Sequence, residues 1–298
     1  MANSIALAAR FQPILDEVYK YASITSFMDG LTKPIENGGV AEVKIFKISR
    51  VGLGTYSRTT GYPIGDVTGT WETITLLAER GREFSIDRMD NEETFGMAFG
   101  KLAGEFIRTW VAPEVDAYRF AKYAGAVGIN KATPATLTSA TVMAAIDVAQ
   151  ATLDSYEVPR EGRVLFVSAE VSGFINAAVS RVLANESSVD KRVTTLDGTR
   201  IVVVPAGRFN VLVTLNAGAT SSAGGFAATT GGTGQVINFI LMDPNARDQA
   251  TKHANLKIFT PEENQDMDAW KVQYRLYHDA WVYENKVKGI YLHAKVAA

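Results

Sequence analysis

The feature that most constrains this chain lies between Val40 and Ile86, where two strand-like segments flank a long glycine-rich run. Residues 40–50, VAEVKIFKISR, read as a strand with Val43 and Ile45 on one face and Phe46 and Ile48 on the other. The alternation slips between 45 and 46, which predicts a bulge or strong twist there. Residues 51–70 hold Gly52, Gly54, Gly61, Gly65 and Gly69 and few apolar side chains, whereas a compact domain rarely keeps a structureless loop of that length. From Trp71 the strand pattern resumes through Ile74 and Leu76, with Phe84 and Ile86 beyond Gly81. Strand, long tip and returning strand predict a protruding two-stranded ribbon. Such a ribbon is marginal in water alone. It needs something to lie on.

The remainder divides by texture. Residues 5–21 carry Phe11, Ile14, Leu15, Val18 and Tyr19 as an amphipathic arm, with Arg10 and Pro13 breaking any secretory-signal pattern. Residues 90–112 predict a helix whose stripe is Phe95, Phe99, Leu102, Phe106 and Trp110, with Asp90 and Glu93 placed for a capping box. Pro113 predicts a kink or restart, and Glu114 and Asp116 suit the first turn of the restarted segment, which should end near Gly125 and Gly128. Helices and strands then alternate: a helix over 139–154, a buried strand at 163–168, a helix over 169–184, and buried strands at 199–205 and 236–242. Between the last two lies 216–234, a run of Gly, Ala, Ser and Thr read as a mobile surface loop. Strands return at 255–261 and 270–283, where Trp270, Val272, Tyr274, Leu276 and His278 share a face, and KGIYLHAKV closes the chain.

Chemistry is scarce. With no cysteine, disulfides, thiolate nucleophiles and zinc ribbons are excluded. His278–Asp279 could be a base and its orienter, but no G-x-S-x-G elbow supplies a nucleophile, and a half-buried strand histidine is the simpler reading. The acidic turn Glu262, Glu263, Asp266, Asp268 lacks the glycine and alternating ligands of a calcium loop. No Walker sequence and no dinucleotide fingerprint occur. Thirty basic against 32 acidic residues, a formal net charge of −2, disfavour a protein that grips nucleic acid over much of its surface. No run approaches the ~20 apolar residues of a bilayer span. The expectation is a soluble, non-enzymatic chain made in the cytoplasm, with no catalytic residue, no metal and no cofactor.

In this order the segments resemble the major capsid proteins of tailed bacteriophages, with the Hong Kong 97 shell fold. TWVAPEVDAYRFAKYA (109–124) is similar to the end of that family's spine helix, and YEVPREGRVLFVSAEV (156–171) to the start of its axial domain. LDGTRIVVVPAGRF (196–209) and INFILMDPNARDQATKHANLKIF (237–259) match its texture. The most specific run, 258–293, resembles the C-terminal strands of a subgroup of these coat proteins. The resemblance covers about 20–293 and is weakest in the ribbon tip and in 216–234.

It implies an α+β capsid fold with an N-terminal arm (1–38), an extended β-ribbon loop (39–88), a peripheral β-sheet domain with the long spine helix (89–125 and 256–298) and an α/β axial domain (126–255). It implies a homo-oligomer of pentamers and hexamers in an icosahedral shell, located in the virion. The shell would touch packaged DNA non-specifically and work with a scaffold protein and a portal, with no membrane partner. Many relatives begin with a removable scaffolding segment; here the arm begins almost at Met1, so that segment is omitted or the scaffold is a separate protein. Phe11, Ile14, Tyr19, Arg58, Tyr62 and Trp71 are the expected subunit contacts, and Phe95, Phe99, Phe106, Trp110 and Tyr274 the expected core. An encapsulin-type nanocompartment shell, which would hold cargo enzymes instead of DNA, shares this fold and is the alternative. Another phage structural protein and an unrecognised α/β enzyme are weaker readings.

Overall fold

A computed structural model describes residues 23–31, 42–93, 104–179, 194–218, 224–229 and 235–296. Phe11, Ile14, Tyr19, Phe95 and Phe99 lie outside the described residues, as do residues 1–22 and 32–38 of the arm and the end of the helix expected over 169–184.

Strands β1 (Glu42–Arg50) and β2 (Val67–Thr75) pair antiparallel from Glu42↔Thr75 to Arg50↔Val67 without a register shift. The bulge expected at 45/46 is absent. Both faces of β1 carry apolar residues because each has its own neighbours, the Leu76 cluster for Val43 and Ile45 and Trp71 for Phe46. Strand β3 (Ala78–Asp87) follows and, although grouped with the ribbon by sequence, joins a three-stranded antiparallel sheet in the order β11–β12–β3 with β11 (Arg247–Phe259) and β12 (Ala269–Val282). β11 begins eight residues before the boundary read at 255/256, because its first four residues are buried. A register shift between Thr251 and His253 interrupts its pairing with β12.

The second sheet has six strands: β4 (Asn130–Lys131), β13 (Ile290–Ala294), β10 (Ile237–Met242), β5 (Val164–Ser168), β7 (Thr199–Val204) and β6 (Thr195–Leu196), in that spatial order. β5 and β10 are buried along their whole length, since both faces are covered. On one face Leu165, Val167, Phe239, Leu241 and Tyr291 meet Val142, Ile146, Ala149 and Leu153 of α3 (Val142–Ser155) and Val171 and Ile175 of α4 (Ala169–Ala178). On the other, Val164, Phe166, Ile240, Met242 and Leu292 meet Phe120, Tyr123 and Ala124 of α2 (Ala112–Gly125). The closing strand β13 therefore belongs to this sheet, not with 256–282. Side-chain period decides it: every residue of β13 is buried, as only an inner strand requires.

A short helix, α1 (Arg88–Glu93), opens the expected spine helix. Its next described part is helical from Gly104, runs through a π turn at Ile107–Val111 and continues as α2. Pro113 thus falls inside a continuous helix, just after the π turn in which Ala112 N donates to Ile107 O, and that turn takes the place of a break. That turn also explains a miss. Its extra residue rotates the apolar stripe out of phase, so Trp110, expected in the core, is 53% exposed. Phe106 keeps its place but is only half-buried, edge-on to Phe84 at 4.8 Å and to Tyr274, also half-buried, at 6.1 Å.

α2 lies between the two sheets, and one carboxylate holds it there. Asp116, fully buried, accepts from Ser23 Oγ (2.8 Å), Ile24 N (2.8 Å), Thr25 N (3.1 Å), Thr25 Oγ1 (2.6 Å) and Arg208 Nη1 (3.0 Å). Arg119 donates to the same Thr25 hydroxyl at 2.8 Å, and Gln249 of β11 to the Thr25 carbonyl at 3.4 Å. Asp116→Ala leaves Arg208 buried without its counter-charge and should cost about 3–5 kcal/mol in urea unfolding. Phe106→Ala, on its half-buried site, should cost about 2 kcal/mol, less than the ~3–5 of a full core phenylalanine. The opposite ranking would contradict this placement.

Candidate interaction surface

Among the described residues the ribbon is anchored at its base. Val43, Ile45 and Ile74 pack on a small cluster of Leu76, Ala250 and Trp281, with Tyr277 and Tyr283 beside it. Lys47, next on the same face, bonds Glu72 across the ribbon at 2.9 Å and reaches Glu284 in the turn before β13. These two carboxylates, Glu284 foremost, hold the lysine's pKa above its ordinary value.

Beyond Lys47 the described residues offer no support. Residues 48–71 are exposed except Ser57 and Gly61, which bridge one another. Gly61 has φ +82°, a conformation that closes the tip at Ser57–Gly61 and that side chains disfavour. Within the tip Tyr56 and Tyr62 stack edge-on at 4.9 Å, and on the outer face Phe46 meets Trp71 at 4.9 Å. Phe46 lies directly over Gly69, where an added Cβ would come 2.5 Å from its ring. Around them stand Ile48, Val51, Leu53, Ile64 and Val67; Tyr62 is 85% exposed, Ile64 97% and Trp71 65%. A contiguous apolar patch of this kind marks an interaction site. Arg58 sits exposed at the tip. Of the expected contact residues, Arg58, Tyr62 and Trp71 therefore share this one projection.

The 216–234 insert is less detached than its composition implied. Strands β8 (Val213–Leu215) and β9 (Phe226–Ala228) form a hairpin. At its described base, Gly225 O accepts from Arg80 at 3.1 Å and Gly218 O from Arg82 at 3.3 Å, while Arg80 also forks onto Glu114. Gly225 lies against the Trp110 ring, which is why that exposed tryptophan is held. Together these side chains wall a groove of about 250 Å³. Low complexity concealed the backbone carbonyls that two arginines use.

The catalytic candidates dissolve. His278 and Asp279 point to opposite faces of β12. Asp279 accepts from Leu77 N (2.9 Å), Tyr118 Oη (3.0 Å) and Ala280 N (2.7 Å), with Lys122 at 3.6 Å, so it is a structural acceptor. His278 is buried edge-on to the Tyr118 ring, its Nδ1 without a partner. No group of three metal-ligating side chains occurs among the described residues, and none of their helices is long and apolar enough to cross a membrane.

No protein-family model matches the chain, and no curated protein does. Solved structures do match. One from Mycobacterium phage Che8 aligns over 100% of both chains with a TM-score of 0.67 at 15% identity. A chain from the asymmetric unit of the bacteriophage PhiM1 mature capsid aligns over 97% of this chain and 92% of its own, at 0.63 and 14%. The capsid of Ralstonia phage GP4 covers 99% of each at 0.59 and 12%. The chain has the α+β fold of phage capsid subunits.

Burial first, and the Arg119 charge second, push the His278 pKa from 6.5 down to about 4. The folded state thus prefers the neutral ring, and its contribution is complete above about pH 6.5 and lost as pH falls through 4. Urea midpoints should therefore drop more steeply between pH 6.5 and 4.5 in the wild type than in His278→Gln. Parallel profiles would refute a buried neutral histidine.

Proposed function

We propose that this chain is the major capsid protein of a tailed bacteriophage, which self-assembles into the icosahedral shell around the double-stranded DNA genome. The observation that carries the reading is the ribbon: its base packs on its own body while residues 48–71 project apolar side chains that meet no other part of the chain among the described residues. In a chain with the capsid-subunit fold, the economical partner is a second copy. A ribbon that lies on a different surface of its neighbour makes a heterologous contact, and such contacts close into rings when the rotation permits. Pentamers and hexamers of this kind supply both vertices and faces of a shell.

The role needs no catalytic residue and no cofactor, in keeping with a side-chain inventory spent on packing. A net charge of −2 suits a wall that confines DNA and touches it non-specifically. A scaffold protein and a portal belong to the same reading, which places the protein in the virion capsid after synthesis in the host cytoplasm. Residues 5–21, with their apolar stripe, are a second contact with an adjacent subunit, and Phe11, Ile14 and Tyr19 are its anchors.

Negative-stain microscopy of the purified chain should show closed shells. Deleting 55–68 should leave a subunit with an unchanged melting temperature that no longer assembles, and Arg58→Ala should weaken assembly while sparing the fold. Normal shells from the deletion would overturn the ribbon's assignment.

A further inference from the structure

One ion pair separates the packed base of the ribbon from its exposed remainder. Val43, Ile45 and Lys47 alternate along the inner face of β1; the first two join the cluster at the base, and the third is the last residue that reaches the body. Its two partners differ in kind. Glu72 lies on β2, so its contact stiffens the ribbon without tying it to anything else. Glu284 opens the Glu284–Gly289 turn, which leads directly into β13 of the six-stranded sheet. From Ile48 to Trp71 no described residue bonds the body.

We infer that the Lys47–Glu284 pair is the stop that sets the angle at which the ribbon leaves its subunit, and with it the direction in which a second copy is met. This rests on reading the ribbon as a contact between copies. Lys47 and Glu284 act as positioning residues. The lever is long. At about 3.3 Å per residue, Lys47 sits about 7 Å beyond Ile45 and the Ser57 turn about 40 Å beyond it, so 1 Å of movement at the pair becomes about 6 Å at the tip. The tether is also soft. The Glu284 side chain is 70% exposed, and exposed pairs contribute little to stability and are screened by salt. A weak contact at the base of a long lever selects an angle without being needed for folding.

The absence of native cysteine makes the test clean. Thr59→Cys at the tip and Asp147→Cys on α3 carry nitroxide labels, and pulsed dipolar spectroscopy of dispersed subunits reads the distance distribution between them. At low salt the wild type should give one narrow distribution that widens at least twofold in about 1 M salt, where the screening length is about 3 Å. Glu284→Gln should be equally wide at low salt and indifferent to added salt. Lys47→Arg should stay narrow, and Glu72→Gln should keep the wild-type mean distance. Melting curves of all four should coincide, which separates positioning from folding. An unchanged width in Glu284→Gln, or a wild type insensitive to salt, overturns the inference. Failure of the wild type to form shells would instead refute the capsid reading, whatever the distances show.

Discussion

The Asp116 carboxylate is the contact on which the rest of the arrangement depends. It gathers three successive residues, Ser23 to Thr25, and the Arg208 guanidinium onto the helix that separates the two sheets. An apolar plug of the same volume could stabilise the site as well, since a buried ion pair pays heavily for desolvation. What a saturated carboxylate adds is direction: Oδ1 accepts from Ser23 Oγ and from both Thr25 donors, and Oδ2 from Ile24 N and Arg208, so the helix, the segment leaving the arm and the Ala206–Arg208 turn have one mutual geometry. The aromatic contacts of Phe120 with Phe166 and Phe209 then fill a space already defined.

With the body fixed, the ribbon becomes the anomalous element. Every other strand either lies in a packed sheet or, like β8 and β9, is held by side chains from another part of the chain. The outer ribbon has Phe46 on Trp71 and Tyr56 on Tyr62, which organise its surface without burying it. Folding therefore leaves apolar area in water, and on the proposed reading association between copies removes it, so that the hydrophobic gain is deferred from folding to assembly.

Much of this was legible in the sequence, and the misses share a cause. The ribbon and the alternating α/β block follow from periodicity and turn residues, which are local, whereas the approach of Phe106 to Tyr274, far apart in sequence, is implied only by the family resemblance. Trp110 was misplaced because a π turn shifts helical phase by one residue without a composition signal. Asp116 read as an ordinary first-turn acid because its partners are about ninety residues distant in sequence. Lys47 read as one polar residue in a strand, since Glu284 is 237 positions away. The bulge at 45/46 was inferred from a one-sided view of a strand whose two faces have different neighbours.

The central claim is that the outer ribbon is completed by another copy of the chain. Hydrogen–deuterium exchange of residues 42–75, measured in dispersed subunits and in assembled particles, tests it most directly. In subunits the amides of 48–71 should exchange rapidly while those of Val164–Ser168 and Ile237–Met242 stay protected; in particles the ribbon should gain protection by a factor of ten or more. Equal ribbon exchange in the two states would contradict the account.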